Sequence, residues 1–432
     1  MKYFLTFTFC LFIRISFSQN FYFPPTSGNT WDTLSPNRLG WCSNKIDSFY
    51  TFLEAKNTKG FILLKGGKIV LEKYFGTFSK DSFHIWNSAA KSFTGILTGI
   101  AQQNALLNIN DSATKYLGTG WTSCTPTQEN KITIKHLLTM TSGLDPAVAM
   151  PCNNEDDSKA CLQYSTTPGT KWAYHTGAYR KIEDIIAAAS GLTYNAFTKN
   201  NLGSKIGMGG IWINSLYVSK VRDAARFGLL GLNKGVWGSD SVLKDRNYFN
   251  NSVNTSQNLN LGYGYLWWLN GKSSYIAPGI PTVFNKSIIA SGPNDMYMAL
   301  GKDDQKIYIS PSKEFVIVRF GGSAYGLALA FSPFDAELWT KINNLNCNNS
   351  SIETKIIRTH NFIYPNPAST FIKINPPNTG DFSLSIFNAL GQEIITTKNT
   401  FHVNITDFKN GIYNVILTQN EQIYSMKTVI EK

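Results

Sequence analysis

Charge is scarce in this sequence, and the runs that charge-driven functions need are missing. Only 16% of its 432 residues are charged. The formal net charge is +12, yet the lysines stand singly, as in "TKG", "LKGGK" and "KDDQK". No five-residue window approaches a polybasic run, which argues against a nucleic-acid partner. Past the N-terminus, no stretch stays apolar for the roughly 20 residues a membrane helix needs. CxxC and paired Cys/His spacings are also missing, and His84, His136, His175, His360 and His402 are dispersed, so neither a zinc site nor another metal or cofactor is expected. What is plentiful is core material: 43% hydrophobic and 13% aromatic residues, the composition of a folded globular chain.

The N-terminus, "MKYFLTFTFCLFIRISFSQN", has a lysine at position 2, a short apolar run and small residues at Ser16 and Ser18. That pattern reads as an export signal over residues 1–18, too short to span a bilayer, with Arg14 its one atypical feature. Export makes cysteines candidates for disulfides. With Cys10 in the signal, five remain, so at least one is unpaired. Cys152 and Cys161 bracket "CNNEDDSKAC", and a local staple is expected there.

"KGFILLKGGKIVLEKYFG" reads as a hairpin turning at Gly66–Gly67. From Ser88 onward, Phe93, Ile96, Leu97 and Ile100 follow the spacing of a helix with one buried face. Further helices are expected in "ITIKHLLTMTSGL", "YRKIEDIIAAASG", "KVRDAARFGLLGLNKG" and "PFDAELWTKINNL". "YGYLWWLNG" reads as a strand, and "QKIYISPSKEFVIVRFGG" as two strands around Pro311–Lys313. Strands at both ends with helices between give an α/β domain over residues 19–345 whose sheet pairs early and late segments. A polar linker covers 346–357. Residues 358–432 hold short alternating strands and no nucleophile–base pair, a small all-β sandwich.

The chemistry is concentrated in "WNSAAKSFTGILTGI", residues 86–100. Ser88 and Lys91 are three residues apart, so a helix puts both on one face. A serine hydroxyl is a weak nucleophile without a base beside it. Burial disfavours the ammonium form of a lysine and so turns it into that base.

This segment, followed in order by "ITIKHLLTMTSGL", "PGTKWAYHTGAYRKIEDIIAAASG", "VRDAARFGLLGLNKGVW", "YGYLWWLNG" and "KIYISPSKEFVIVRFG", resembles the serine β-lactamase and penicillin-binding-protein superfamily over roughly residues 40–340. The likeness is specifically to its class C-like branch of esterases, amidases and D-amino-acid peptidases. The resemblance implies a β-lactamase/transpeptidase-like domain, an antiparallel sheet flanked by helices plus a mostly helical subdomain. By position it implies Ser88 as the acylated nucleophile, Lys91 as its proton partner and Tyr174 as the tyrosine of the second motif. Thr176 stands where that motif has asparagine, and His175 between them would touch substrate. The third motif falls on Ala299–Leu300–Gly301, with apolar residues where a cation and hydroxyl are usual. Gly301 would admit the substrate backbone, and Lys302 would supply an oxyanion N–H or a substitute cation. Such a site takes a small ester, amide or short peptide and needs no cofactor. Trp267 and Trp268 would line the cleft or enter the core.

"YPNPAS", "IFNALGQEI", "GIYNVIL" and the closing "MKTVIEK" resemble the C-terminal sorting domain of the type IX secretion system. Pro365, Asn366, Pro367, Gly391, Gln392, Gly411 and Tyr413 all match. That likeness implies the type IX machinery as partner, and a destination outside a Gram-negative cell or on its surface. Oligomeric state is not legible in the sequence.

Overall fold

The computed structural model describes residues 21–326, 330–347, 358–359, 361–420 and 422–432. The expected export signal, His360 and linker residues 348–357 lie outside the described residues. The chain divides into two compact units, Met1–Cys347 and Asn348–Lys432.

The first unit is built from α1 (Ser43–Ala55), β1 (Thr58–Lys65), β2 (Lys68–Tyr74), α2 (Ala90–Gln103), α3 (Thr176–Ser190), α4 (Val221–Leu232), β3 (Trp268–Leu269), β4 (Tyr297–Gly301), β5 (Gln305–Ser310), β6 (Phe315–Gly321) and α5 (Pro333–Asn343), with shorter elements between. The strands form one sheet in the order β2-β1-β6-β5-β4-β3, every neighbouring pair antiparallel. The early hairpin β1–β2 thus closes on the late strand β6, with Ile62 opposite Val318.

Strands β5 and β6 are buried at every position, because both faces of the sheet are covered. On one face Phe49 of α1 meets Phe61 edge-on at 5.3 Å, and Trp339 of α5 meets Tyr308 at 5.9 Å. On the other face α4 lies close against β5 and β6. A side chain at Gly228 would come within 2.3 Å of a Val316 methyl, so only glycine allows that approach. Beneath α4, Phe93 of α2 packs on Phe227 at 5.1 Å, which ties the helical part of the unit to the sheet.

"YGYLWWLNG" is mostly not a strand. Only Trp268–Leu269 pairs with β4, because Leu266 has φ 63° and Gly264 lies against the carbonyl of Ser252. Both tryptophans, Trp267 and Trp268, are core.

Two disulfides are formed among the described residues. Cys152–Cys161 closes the short polar loop, and Cys42–Cys347 joins residues 305 apart at the two ends of the unit, leaving Cys124 free. Asn346 also pairs with Trp41, so the sheet unit is fastened shut beside that bridge. A cross-link over so long a loop restricts the unfolded chain most. Cys42→Ser with Cys347→Ser is expected to lower the unfolding free energy by ~2–5 kcal/mol in chemical denaturation.

The second unit has a five-stranded sheet, in the order 358–359, 422–430, 411–419, 382–387 and 393–398, and a three-stranded sheet of 363–364, 371–374 and 402–404. Alternate residues point inward, as Leu384 and Ile386 do from one sheet and Ile372 and Val403 from the other, and they share one small core.

Candidate active site

The site starts from a strained turn. Asn87 sits in the left-handed region at φ 50°, a conformation asparagine tolerates better than most residues. Its side-chain amide donates to the Lys302 carbonyl at 2.9 Å, so the turn is fastened to the end of β4. The 3-10 turn Asn87–Ala89 then runs straight into α2. Ser88 is the one partly exposed residue in an otherwise buried run from Trp86 to Ala90. Its N–H lies in the first turn, where backbone donors have no helical acceptor.

One turn further on, the Lys91 Nζ donates to Ser88 Oγ at 3.1 Å. Lys91 is 3% exposed, and its amine lies 4.5 Å from the centre of the Tyr179 ring and 5.0 Å from that of Tyr174. Burial, reinforced by the nearby Arg180 guanidinium, pulls the amine from its usual 10.5 down to about 7; Glu155 and Glu183 oppose this, and Lys302 adds slightly to it. The amine is therefore about half unprotonated, and so available as a base, near neutral pH.

Tyr174 comes from the segment before α3. Burial raises its phenol well above the usual tyrosine range, and the polar Ser88 side chain partly offsets this. Trp268 stacks on the ring at 6.1 Å with an 18° interplanar angle and holds it from behind. Hydroxyl, amine and phenol thus converge in one place.

A cavity of about 50 Å³ opens at Ser88, and Thr176, Lys302, Glu155 and Arg180 contribute to its walls. Three residues expected at the site stand elsewhere. Ala299 is fully buried inside the sheet. Gly301 does not face substrate, since a Cβ there would lie 2.4 Å from the Trp86 carbonyl; its lack of a side chain lets β4 abut the Ser88 turn. His175 caps α3, its Nδ1 accepting from the Ala178 N–H at 3.2 Å. It is 1% exposed, and burial pulls its pKa down to about 4.

The structure adds groups that the motifs did not point to. Arg180 donates to the Glu155 carbonyl and lies 3.5 Å from its carboxylate. Glu183 accepts from Ser215 at 3.0 Å and from Tyr179 at 3.4 Å, and burial raises its pKa to about 7. The Tyr179–Glu183 spacing of four on a helix was a signal for this pair. Asn154, from the disulfide-closed loop, clasps the chain on both sides of His175. Its amide donates to the Tyr174 carbonyl at 2.8 Å, and its side-chain oxygen accepts from the Thr176 N–H at 3.1 Å. A second, larger cavity of about 490 Å³ is walled by Tyr174, Trp172 and residues 276–281 of the hairpin Tyr275–Phe284. Among the described residues, no group of three or more His, Cys, Asp or Glu side chains is arranged to hold a metal ion.

Comparison with known proteins agrees with this geometry. Residues 57–321 match the beta-lactamase family model, and residues 362–431 match the secretion system C-terminal sorting domain. A beta-lactamase of Escherichia coli K12 is 27% identical over 136 residues, 29% of this chain; the chain spans only about a third (34%) of that relative's length. A penicillin-binding protein homologue from Caulobacter crescentus superposes with a TM-score of 0.53 at 11% identity, covering 71% of this chain and 99% of the other. A family VIII carboxylesterase superposes with a TM-score of 0.50 at 11% identity over the same shares, so both likenesses concern the fold. No helix among the described residues is long and apolar enough to cross a membrane.

Proposed function

The chain belongs to the beta-lactamase family and ends in a type IX sorting domain, and from that premise we propose that it is an exported serine hydrolase acting on an ester or amide through an acyl-enzyme. The observation that carries the reading is the 3.1 Å contact between Lys91 Nζ and Ser88 Oγ, with the amine's pKa lowered to about 7.

In this reading Lys91 takes the proton as Ser88 Oγ attacks the carbonyl carbon. The backbone N–H groups of Ser88 and Lys302 hold the oxyanion. Tyr174, poised beside Ser88 and Lys91, passes the proton to the leaving oxygen or nitrogen, and water then releases the acyl group. A phenol held well above its usual range stays protonated and suits a donor. The sorting domain engages the type IX machinery, and the hydrolase works outside the cell or on its surface.

A fluorophosphonate probe tests this. Wild-type protein is expected to be labelled, and Ser88→Ala to remain unlabelled while folded. If no acylating probe labels the folded wild type, the site is inert and the protein is a binder on a hydrolase fold. Penicillins are expected to acylate it slowly, because Ala299 and Leu300 bring neither the cation nor the hydroxyl that grips their carboxylate.

A further inference from the structure

The cavity at Ser88 and the cavity walled by Tyr174 differ in size and in chemistry. The one at Ser88 has about 50 Å³, little more than room for an acetyl group, and its walls carry the charged Glu155, Arg180 and Lys302. The one walled by Tyr174 has about 490 Å³, within the range that holds a drug-sized ligand. Its walls are mainly apolar, with Pro146, Trp172, Ile276, Ala277, Ile280 and Pro281 among them. Ile280 is 45% exposed at the end of a projecting hairpin, whose strands 275–277 and 280–284 are closed by the stacked pair Tyr275 and Phe284 at 5.1 Å. The hairpin thus presents apolar side chains to solvent beside a cavity that would shelter a ligand.

Tyr174 belongs to the wall of the large cavity, and its ring centre lies 5.0 Å from the Lys91 amine that bonds Ser88 Oγ. A group that takes its proton from Tyr174 as it leaves departs on that side. We infer that this large cavity is the leaving-group site, and that the substrate is a short-acyl ester or amide of a bulky apolar alcohol or amine. The inference rests on Ser88 being the nucleophile. In the step itself, Ser88 Oγ bonds to the carbonyl carbon and the bond from that carbon to the alcohol oxygen or amine nitrogen breaks. The proton lost by Ser88 ends on the departing atom. Asp145, Lys171 and Asn154 also line this cavity and would meet any polar atoms of the leaving group.

Acyl and alcohol sizes can be varied separately on the full-length protein. Phenyl acetate and biphenyl-4-yl acetate have phenols of similar acidity and differ by one ring. Burying that ring is expected to raise kcat/KM by about tenfold or more. With a constant leaving group, p-nitrophenyl octanoate is expected to react no faster than p-nitrophenyl acetate. Ala147→Trp, at an exposed position on the cavity wall, should bring the biphenylyl-to-phenyl ratio towards one. Should that variant fail to fold, Ile280→Asn on the exposed hairpin makes the same test. A wild-type ratio near one, a ratio that survives both substitutions, or an octanoate preferred over acetate would each overturn the inference while fluorophosphonate labelling of Ser88 persists. Absence of both turnover and labelling would instead overturn the nucleophile assignment, and this inference with it.

Discussion

Lys91→Met is expected to silence the protein and to stabilise it. Methionine keeps the length and apolar character of the buried stem but cannot take a proton. Removing a positioned general base lowers reaction rates by about 10²–10⁴-fold. Acylation by a fluorophosphonate, followed over time, should fall by about that factor. In wild type the acylation rate should climb as pH rises through about 7, where the amine loses its proton.

The stability change has a definite sign. The amine titrates near its ordinary 10.5 in the unfolded chain and near 7 in the folded one. Between those values the unfolded state holds a proton that the folded state lacks, so stability falls as pH drops from about 10.5 towards 7 and levels off below. Since a tenfold change in proton affinity is worth ~1.4 kcal/mol, keeping this amine neutral costs the fold ~3–5 kcal/mol at neutral pH. Methionine removes that cost and forfeits one hydrogen bond to Ser88 and two aromatic contacts. The net expectation at pH 7 is a gain of ~2 kcal/mol or more in guanidinium unfolding, shrinking as pH approaches 10. A variant less stable than wild type at both pH values would mean that the amine is not held neutral.

The pair was legible because its geometry is local: three residues on a helix fix which side chains meet, whatever the rest of the chain does. Tyr174 was legible only through family register, since nothing in "AYHTGAY" says which helix it will face. Glu155 and Arg180 were not legible, because they are brought to Ser88 by a loop closure and a helix start some 70 to 90 residues away in sequence. Register with the third motif alone puts Ala299 and Gly301 in the cleft. The sheet instead buries Ala299, and the Ser88 turn takes the space beside Gly301. The broad architecture was easier to read, because alternation and helical spacing repeat over many residues. The pattern could not reveal that Leu266 turns left-handed and cuts "YGYLWWLNG" down to a two-residue strand.

The asparagine missing from the second motif has a counterpart of another origin. Thr176 leaves no amide beside Tyr174, yet Asn154 supplies one from outside the motif and grips the backbone on both sides of His175. Its own carbonyl also accepts from the Gly177 N–H at 2.8 Å. The loop lies flush on the start of α3, where a Cβ at Gly177 would meet the Asp156 carbonyl at 2.1 Å, and Lys181 pairs with Asp157 at 3.2 Å. Cys152–Cys161 closes that same loop. Tyr174 is therefore held by a clasp that is itself held by a disulfide. Loosening it should displace the phenol by a fraction of an ångström to an ångström, enough to lower kcat by about 10²-fold. Asn154→Ala, and separately Cys152→Ser with Cys161→Ser, are each expected to reach that loss. The apparent pKa near 7 should persist, since neither change exposes Lys91. The lost hydrogen bonds of Asn154→Ala should cost ~1–3 kcal/mol of stability, too little to unfold the domain. A folded Asn154→Ala protein with wild-type kcat would show that Tyr174 needs no clasp. Because disulfides persist only in oxidising compartments, the same dependence would leave the hydrolase weak until it has left the cytoplasm.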